Sequence, residues 1–155
     1  MADTIGRMYS ASFGGVAVSV AQDLFQVKSA SGKITKIHEV LVTQDASETS
    51  EQLPFQMQRV STDGTGGGTP NAAPLDPGDP PFNGVVEVNN TSRGTVIAGS
   101  VIRREGQNIL AGIHWLFTPE TRPVISPEGI IIVGLETAPA VALNMSGTIL
   151  IEEID

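Results

Sequence analysis

Apolar and polar residues alternate with a period of two along most of this chain. In the segment 53–60, Leu53, Phe55 and Met57 share one side, while Gln52, Gln56 and Gln58 share the other. Such alternation predicts a sheet with one buried and one wet face. The same period marks Val16–Val20 and Leu24–Val27. After a Ser-Ala-Ser-Gly turn at 29–32 it returns in Lys33–Gln44, whose apolar content is Ile37 and the Val40-Leu41-Val42 cluster. Val85–Val88 is a short strand ending at Asn89-Asn90. Thr95–Arg104 and Ile109–Phe117 flank the turn Glu105-Gly106-Gln107-Asn108, a spacing that predicts a hairpin. Ile130–Glu136 is a nearly continuous apolar run, as expected of a strand buried on both faces, and Met145–Glu153 closes the series. Helical periodicity is confined to single turns at Glu48–Leu53 or Ala138–Leu143. The expected core draws on Val40, Val42, Phe55, Met57, Val96, Ile113, Trp115, Ile131, Val133, Ile149 and Ile151.

Between Ser61 and Gly84 the pattern stops. Glycines crowd the first half of this stretch and prolines the second, so it reads as a long loop, flexible first and stiffer afterwards. The strands before it are too few to close a core alone, which argues against two domains. Eight to ten short strands with regular turns make this an all-β chain, and the long crossover favours a single jelly-roll-like β-sandwich over a meander. The domain spans 13–155, with the loop at 61–84, and 1–12 is an N-terminal arm.

The length of 155 residues fits that one domain. Nine basic against 17 acidic side chains give a net charge of −8, a poor match for nucleic acid or an anionic membrane surface. Only 17% of residues are charged, which disfavours amphipathic helices with a broad polar face. There is no cysteine, so disulfides, thiolate zinc sites and thiol nucleophiles are excluded. No run approaches the roughly 20 apolar residues of a membrane-spanning helix. The mildly apolar Phe13–Ala21 lacks a basic leader and contains two glycines, so it reads as strand rather than as an export signal.

Candidate chemistry is sparse. Gly64-Thr65-Gly66-Gly67-Gly68 lacks the Lys-Ser or Lys-Thr of a phosphate loop. His38 and His114 lie far apart and have no third histidine to complete a metal set, although either could pair with a carboxylate. No Gly-x-Ser-x-Gly elbow occurs. Asp76 and Asp79 sit in Pro-Leu-Asp-Pro-Gly-Asp-Pro, where Asp is a turn former. No catalytic, cofactor-binding or metal residue is therefore nominated, and the chain is not expected to be an enzyme. Trp115 and Phe117 share one face, in the core by default or at a subunit interface or sugar-stacking platform if exposed, and Phe55 joins them as an interface candidate.

Four stretches carry a resemblance. They are Ala21-Gln22-Asp23-Leu24-Phe25; Ile37-His38-Glu39-Val40 leading into Gln44-Asp45; Pro74-Leu75-Asp76-Pro77-Gly78-Asp79-Pro80; and Met145-Ser146-Gly147-Thr148-Ile149-Leu150-Ile151-Glu152-Glu153-Ile154. In this order they resemble small jelly-roll proteins of tailed-phage structural gene clusters, in particular capsid decoration, or cement, proteins. The resemblance implies a homotrimer on the outer face of an icosahedral head, bound to the major capsid protein and stabilising the shell. It would be made in the host bacterial cytoplasm and then assembled into the virion. It implies no cofactor, nucleic acid or membrane partner. A terminal arm commonly grips the shell in such proteins, which makes Met1, Ile5, Arg7, Met8 and Tyr9 the capsid-contact candidates. The alternative is a tail, baseplate, receptor-binding or carbohydrate-binding module of the same fold, with the loop 61–84 as its site.

Overall fold

Strands with one apolar side gain most of their stability by laying those sides together, and here the alternation resolves into two packed sheets. The computed structural model describes residues 6–46 and 48–155, and among them finds eleven strands and no helix. These are β1 Arg7–Val18, β2 Asp23–Lys28, β3 Ile34–Gln44, β4 Gln52–Val60, β5 Ala73–Pro74, β6 Val85–Asn90, β7 Val96–Asn108, β8 Ile113–Leu116, β9 Val124–Ile125, β10 Ile130–Leu135 and β11 Leu143–Ile154. One sheet runs β5-β1-β11-β3-β8, with β9 also on β3; the other runs β6-β2-β10-β4-β7. All pairings are antiparallel. Of the framework strands, β1, β3, β8 and β11 belong to the first sheet and β2, β4, β7 and β10 to the second, so the chain changes sheet at every step among them except from β4 to β7. The result is an all-β sandwich.

The core lies between the two inner faces. In β11 every second residue is buried, with Met145, Ile149 and Ile151 pointing inward. They meet Leu24, Phe25 and Val27 of β2, Phe55 and Met57 of β4, and Ile131 and Val133 of β10. Phe13 and Phe25 pack with ring centroids 5.2 Å apart. Gly147 lies beneath them, where an added Cβ would come within 2.8 Å of Phe13. As the continuous apolar run predicts, β10 is buried on both faces: Ile130 and Ile132 form a second, smaller cluster with Val60 on the far side.

Several expectations need correction. Residues 7–12 are no free arm. They are the first half of β1, paired from Arg7 with Glu153, because Tyr9 and Ala11 supply inward-facing positions that continue the alternation. Val20 lies past the end of β1 and is exposed. The hairpin is not formed: β7 pairs with β4 in one sheet and β8 with β3 in the other. Glu105–Asn108 stay extended opposite Gln52–Phe55, and the chain turns four residues later, at Gly112 with φ of 69°. Val96 is exposed rather than core, because it sits on the outermost strand of its sheet. The wet face of β4 is also covered, since Gln56 and Gln58 are buried.

Replacing Ile131 with Ala should cost about 2–5 kcal/mol, whereas Val96→Ala should stay within about 0.5 kcal/mol. Urea unfolding followed through the single, buried Trp115 checks both. A loss at Ile131 no larger than at Val96 would mean β10 is not central.

Candidate functional site

Each histidine does find a carboxylate. His38 Nε2 lies 2.7 Å from Glu152 Oε2, and His114 Nε2 lies 2.6 Å from Glu39 Oε1. Both pairs join neighbouring strands of the first sheet on its outward face. Neither borders any of the three main concavities of the described residues. Among the described residues no three His, Asp or Glu side chains converge as a metal ion would require. Asp76 acts as a turn former: its Oδ1 accepts from the Gly78 amide at 2.9 Å and its carbonyl from the Asp79 amide at 3.0 Å.

The glycine cluster is packed, contrary to the expected flexibility. Gln26 Oε1 of β2 accepts from the Gly64 amide at 2.8 Å, and Asn90 Oδ1 of β6 accepts from the Gly67 amide at 3.1 Å. A Cβ at Gly64 would fall 2.7 Å from the Ser92 carbonyl, so the close approach needs glycine there. Side chains that look like a wet face therefore collect the amides of a loop that would otherwise be unpaired. Nearby, Arg93 Nε donates to Asp23 Oδ1 at 2.7 Å and Nη2 donates to the Leu135 carbonyl at 3.2 Å. Asp23 is 1% exposed and its Oδ2 has no hydrogen-bond partner among the described residues. Burial raises its pKa above the ordinary carboxylate value, against the opposing pull of Arg93.

Two edges of the sandwich carry the features a partner could use. The first lies where β5 and β1 meet β6. A concavity of about 420 Å³ opens there, lined by Pro70, Ala72, Pro74, Pro81, Phe82 and Val86 among others. Its floor is braced by Tyr9, whose ring meets Phe82 at 5.3 Å and whose hydroxyl donates to the Pro80 carbonyl at 3.0 Å. Burial, then the nearby Glu153 carboxylate, raises the Tyr9 pKa. The opposite edge is β7, where Val96, Ile97, Val101 and Ile102 are 45, 43, 44 and 37% exposed.

The capsid-contact candidates divide accordingly. Met1 and Ile5 lie outside the described residues. Tyr9 is fully buried, Met8 is half-buried and bonds Leu75 through its carbonyl, and Arg7 lies within 4 Å of Asp79 and Asp155. The interface candidates Phe55, Trp115 and Phe117 are all core. Trp115 donates from Nε1 to Glu105 at 2.8 Å, and Arg103 stacks over its ring at 5.2 Å, which closes the gap between the sheets. The edge residues that sequence reasoning missed had a signal: Ala98-Gly99-Ser100 breaks the alternation inside an apolar stretch free of charge. No family model, curated protein or solved structure matches this chain.

Arg93→Ala should destabilise the protein by about 3 kcal/mol, because it strands the buried Asp23 carboxylate. Asp23 holds its proton more tightly folded than unfolded. Its contribution is therefore full at low pH and lost as pH rises from about 4 through its folded value. Wild type should accordingly lose stability relative to Asp23→Asn over that rise, measured as urea midpoints at stepped pH. A constant gap between the two would contradict the assignment.

Proposed function

We propose that this chain is a structural virion protein, a jelly-roll subunit that trimerises and binds the outer face of an icosahedral phage head as a decoration protein. The observation that carries the reading is the strand order, β1-β11-β3-β8 facing β2-β10-β4-β7, in which the chain changes sheet at every step except from β4 to β7. This order supports a jelly-roll reading, and jelly rolls serve viral capsid proteins as well as lectins and cupins. The four sequence stretches that resemble phage decoration proteins support the same reading. They fall on β2, β3, the proline loop and β11, so the resemblance runs through the framework of the fold rather than one local motif.

In this role the chain acts by mass action. A subunit that binds only the assembled shell stabilises that shell by its occupancy, and no reacting group is involved. The acidic surface suits contact with protein rather than with packaged nucleic acid. The capsid partner is the major shell protein, and the contacts fall on loops or edges of the sandwich, since both inner faces are consumed by the core.

Quantitative peptide mass spectrometry of purified particles from the source tests the reading. This chain should be present in copy number comparable to the shell protein. A handful of copies per particle would move it to the tail or a receptor-binding position, and its absence from particles would overturn the virion role.

A further inference from the structure

β7 does not run straight along β4. Val101 is paired with Gln58 and Val96 with Val60, so four residues, Ile97–Ser100, stand opposite the single residue Arg59. Gly99, with φ of 69°, allows the chain to arch. The gap in the ladder is filled by Ser100. Its hydroxyl accepts from the Arg59 amide at 3.2 Å and lies 3.1 Å from the Arg59 carbonyl. The arch is thus held in place, and it presents Val96, Ile97, Val101 and Ile102 to solvent with no charged residue among them. A wide bulge on an edge strand also blocks simple strand-to-strand pairing with another copy. A partner must therefore meet the arch through its side chains, in a concave site.

Such a site exists on the opposite edge of the same molecule, the cleft between β5 and β6. Its walls of Pro70, Pro74, Pro81 and Phe82 are stiff and largely apolar, and about 420 Å³ leaves room for a few aliphatic side chains. The flanking charges are complementary. Arg59 stands opposite the arch and donates to the Val124 carbonyl at 2.9 Å, whereas Asp79 is the charged residue that lines the cleft, 3.9 Å from Arg7. A protrusion and a recess on opposite edges make a head-to-tail contact, which closes into a ring when the rotation between copies allows.

We infer that copies of this chain assemble head to tail, the Val96–Ile102 arch of one seated in the β5–β6 cleft of the next. The inference rests on the self-assembling subunit proposed above and names its two surfaces.

Sedimentation equilibrium on the full chain, with Ile97→Asp and Val85→Asp variants, tests it. Both side chains are exposed, Val85 lines the cleft, and thermal unfolding checks that each variant folds. Wild type should sediment as three chains of 16.2 kDa. Each variant should weaken association at least thirtyfold, to a monomer at about 10 µM. Mixed together, the two variants should form a one-to-one heterodimer, because one intact arch then meets one intact cleft. Assembly that survives Val85→Asp but not Ile97→Asp would overturn the cleft as the receptor, as would a small molecule retained in the cleft by native mass spectrometry and lost in Val85→Asp. A mixture that stays monomeric would overturn the head-to-tail geometry. Wild type that is monomeric at about 100 µM would overturn the inference outright, while the copy number on particles would still decide the virion role independently.

Discussion

Both sheets are built around strands from the end of the chain. β11 lies between β1 and β3, and β10 lies between β2 and β4, so the centre of each sheet stays open until the last 26 residues are in place. β1 can reach β3 only through β11, with Arg7 opposite Glu153 on one side and Ile34 opposite Ile154 on the other. Nearly every contact in the core therefore spans a long stretch of sequence. Such a topology closes large loops before burial rewards them, so it folds slowly and cooperatively. It also explains why the C-terminal strands have the most regular patterns: an inward residue misplaced in β11 would disturb two neighbours at once.

The outward faces are stabilised differently. On the second sheet, Gln26, Glu87 and Asn90 form a connected set of hydrogen bonds that holds the glycine-rich part of the loop 61–84 against β2 and β6. An apolar patch, Val60 with Ile130 and Ile132, is buried beside it. The loop thus works as a third layer over part of the sheet. Its glycines serve close packing, and its prolines stiffen the rim of the cleft. Asp23 and Arg93 tie the segment after β6 to the same corner, at the cost of a buried carboxylate with one oxygen unpaired.

How much of this was legible depends on whether a strand's neighbours lie on one side or two. β3, β10 and β11 are central strands, and alternation in β3 and β11 and the continuous apolar run of β10 located them to within two residues. The core residues Val40, Phe55, Ile131 and Ile149 followed from the same patterns. β1 was harder, because its early inward positions are Tyr9 and Ala11, and an alanine gives a weak signal. β7 misled most. Edge strands are free to be apolar on either side, so Val96 looked like core and Glu105–Asn108 looked like a turn. Polar side chains bonded to a loop or to a neighbouring strand cannot be told from solvated ones by sequence pattern, which hid the burial of Gln26, bonded to the loop, and of Gln56, which accepts from Arg104 of β7. The candidate interface aromatics proved to be core, and the arch of β7 showed only as a broken period.

A two-sheet sandwich has four edges, and here they are protected unequally. β5 is two residues long and caps β1; β8 has four residues, and β6 is flanked by the loop that bonds to it. Short or covered edges resist pairing with other chains. β7 is thirteen residues long and lacks a neighbour on its outer side among the described residues. Charged residues fill its second half, with Arg103, Arg104 and Glu105 each in an ion pair, so that end is kept soluble by side chains. Its first half has no charge and relies on the bulge, which removes the regular ladder but leaves branched apolar side chains in water. Selection against unwanted strand pairing explains the bulge and the arginines. It does not explain Ile97 and Ile102, since polar residues would fit the same backbone and remove the exposed apolar surface. Their retention makes sense if the edge is closed to strands and open to a shaped recess, a distinction that only a specific partner requires.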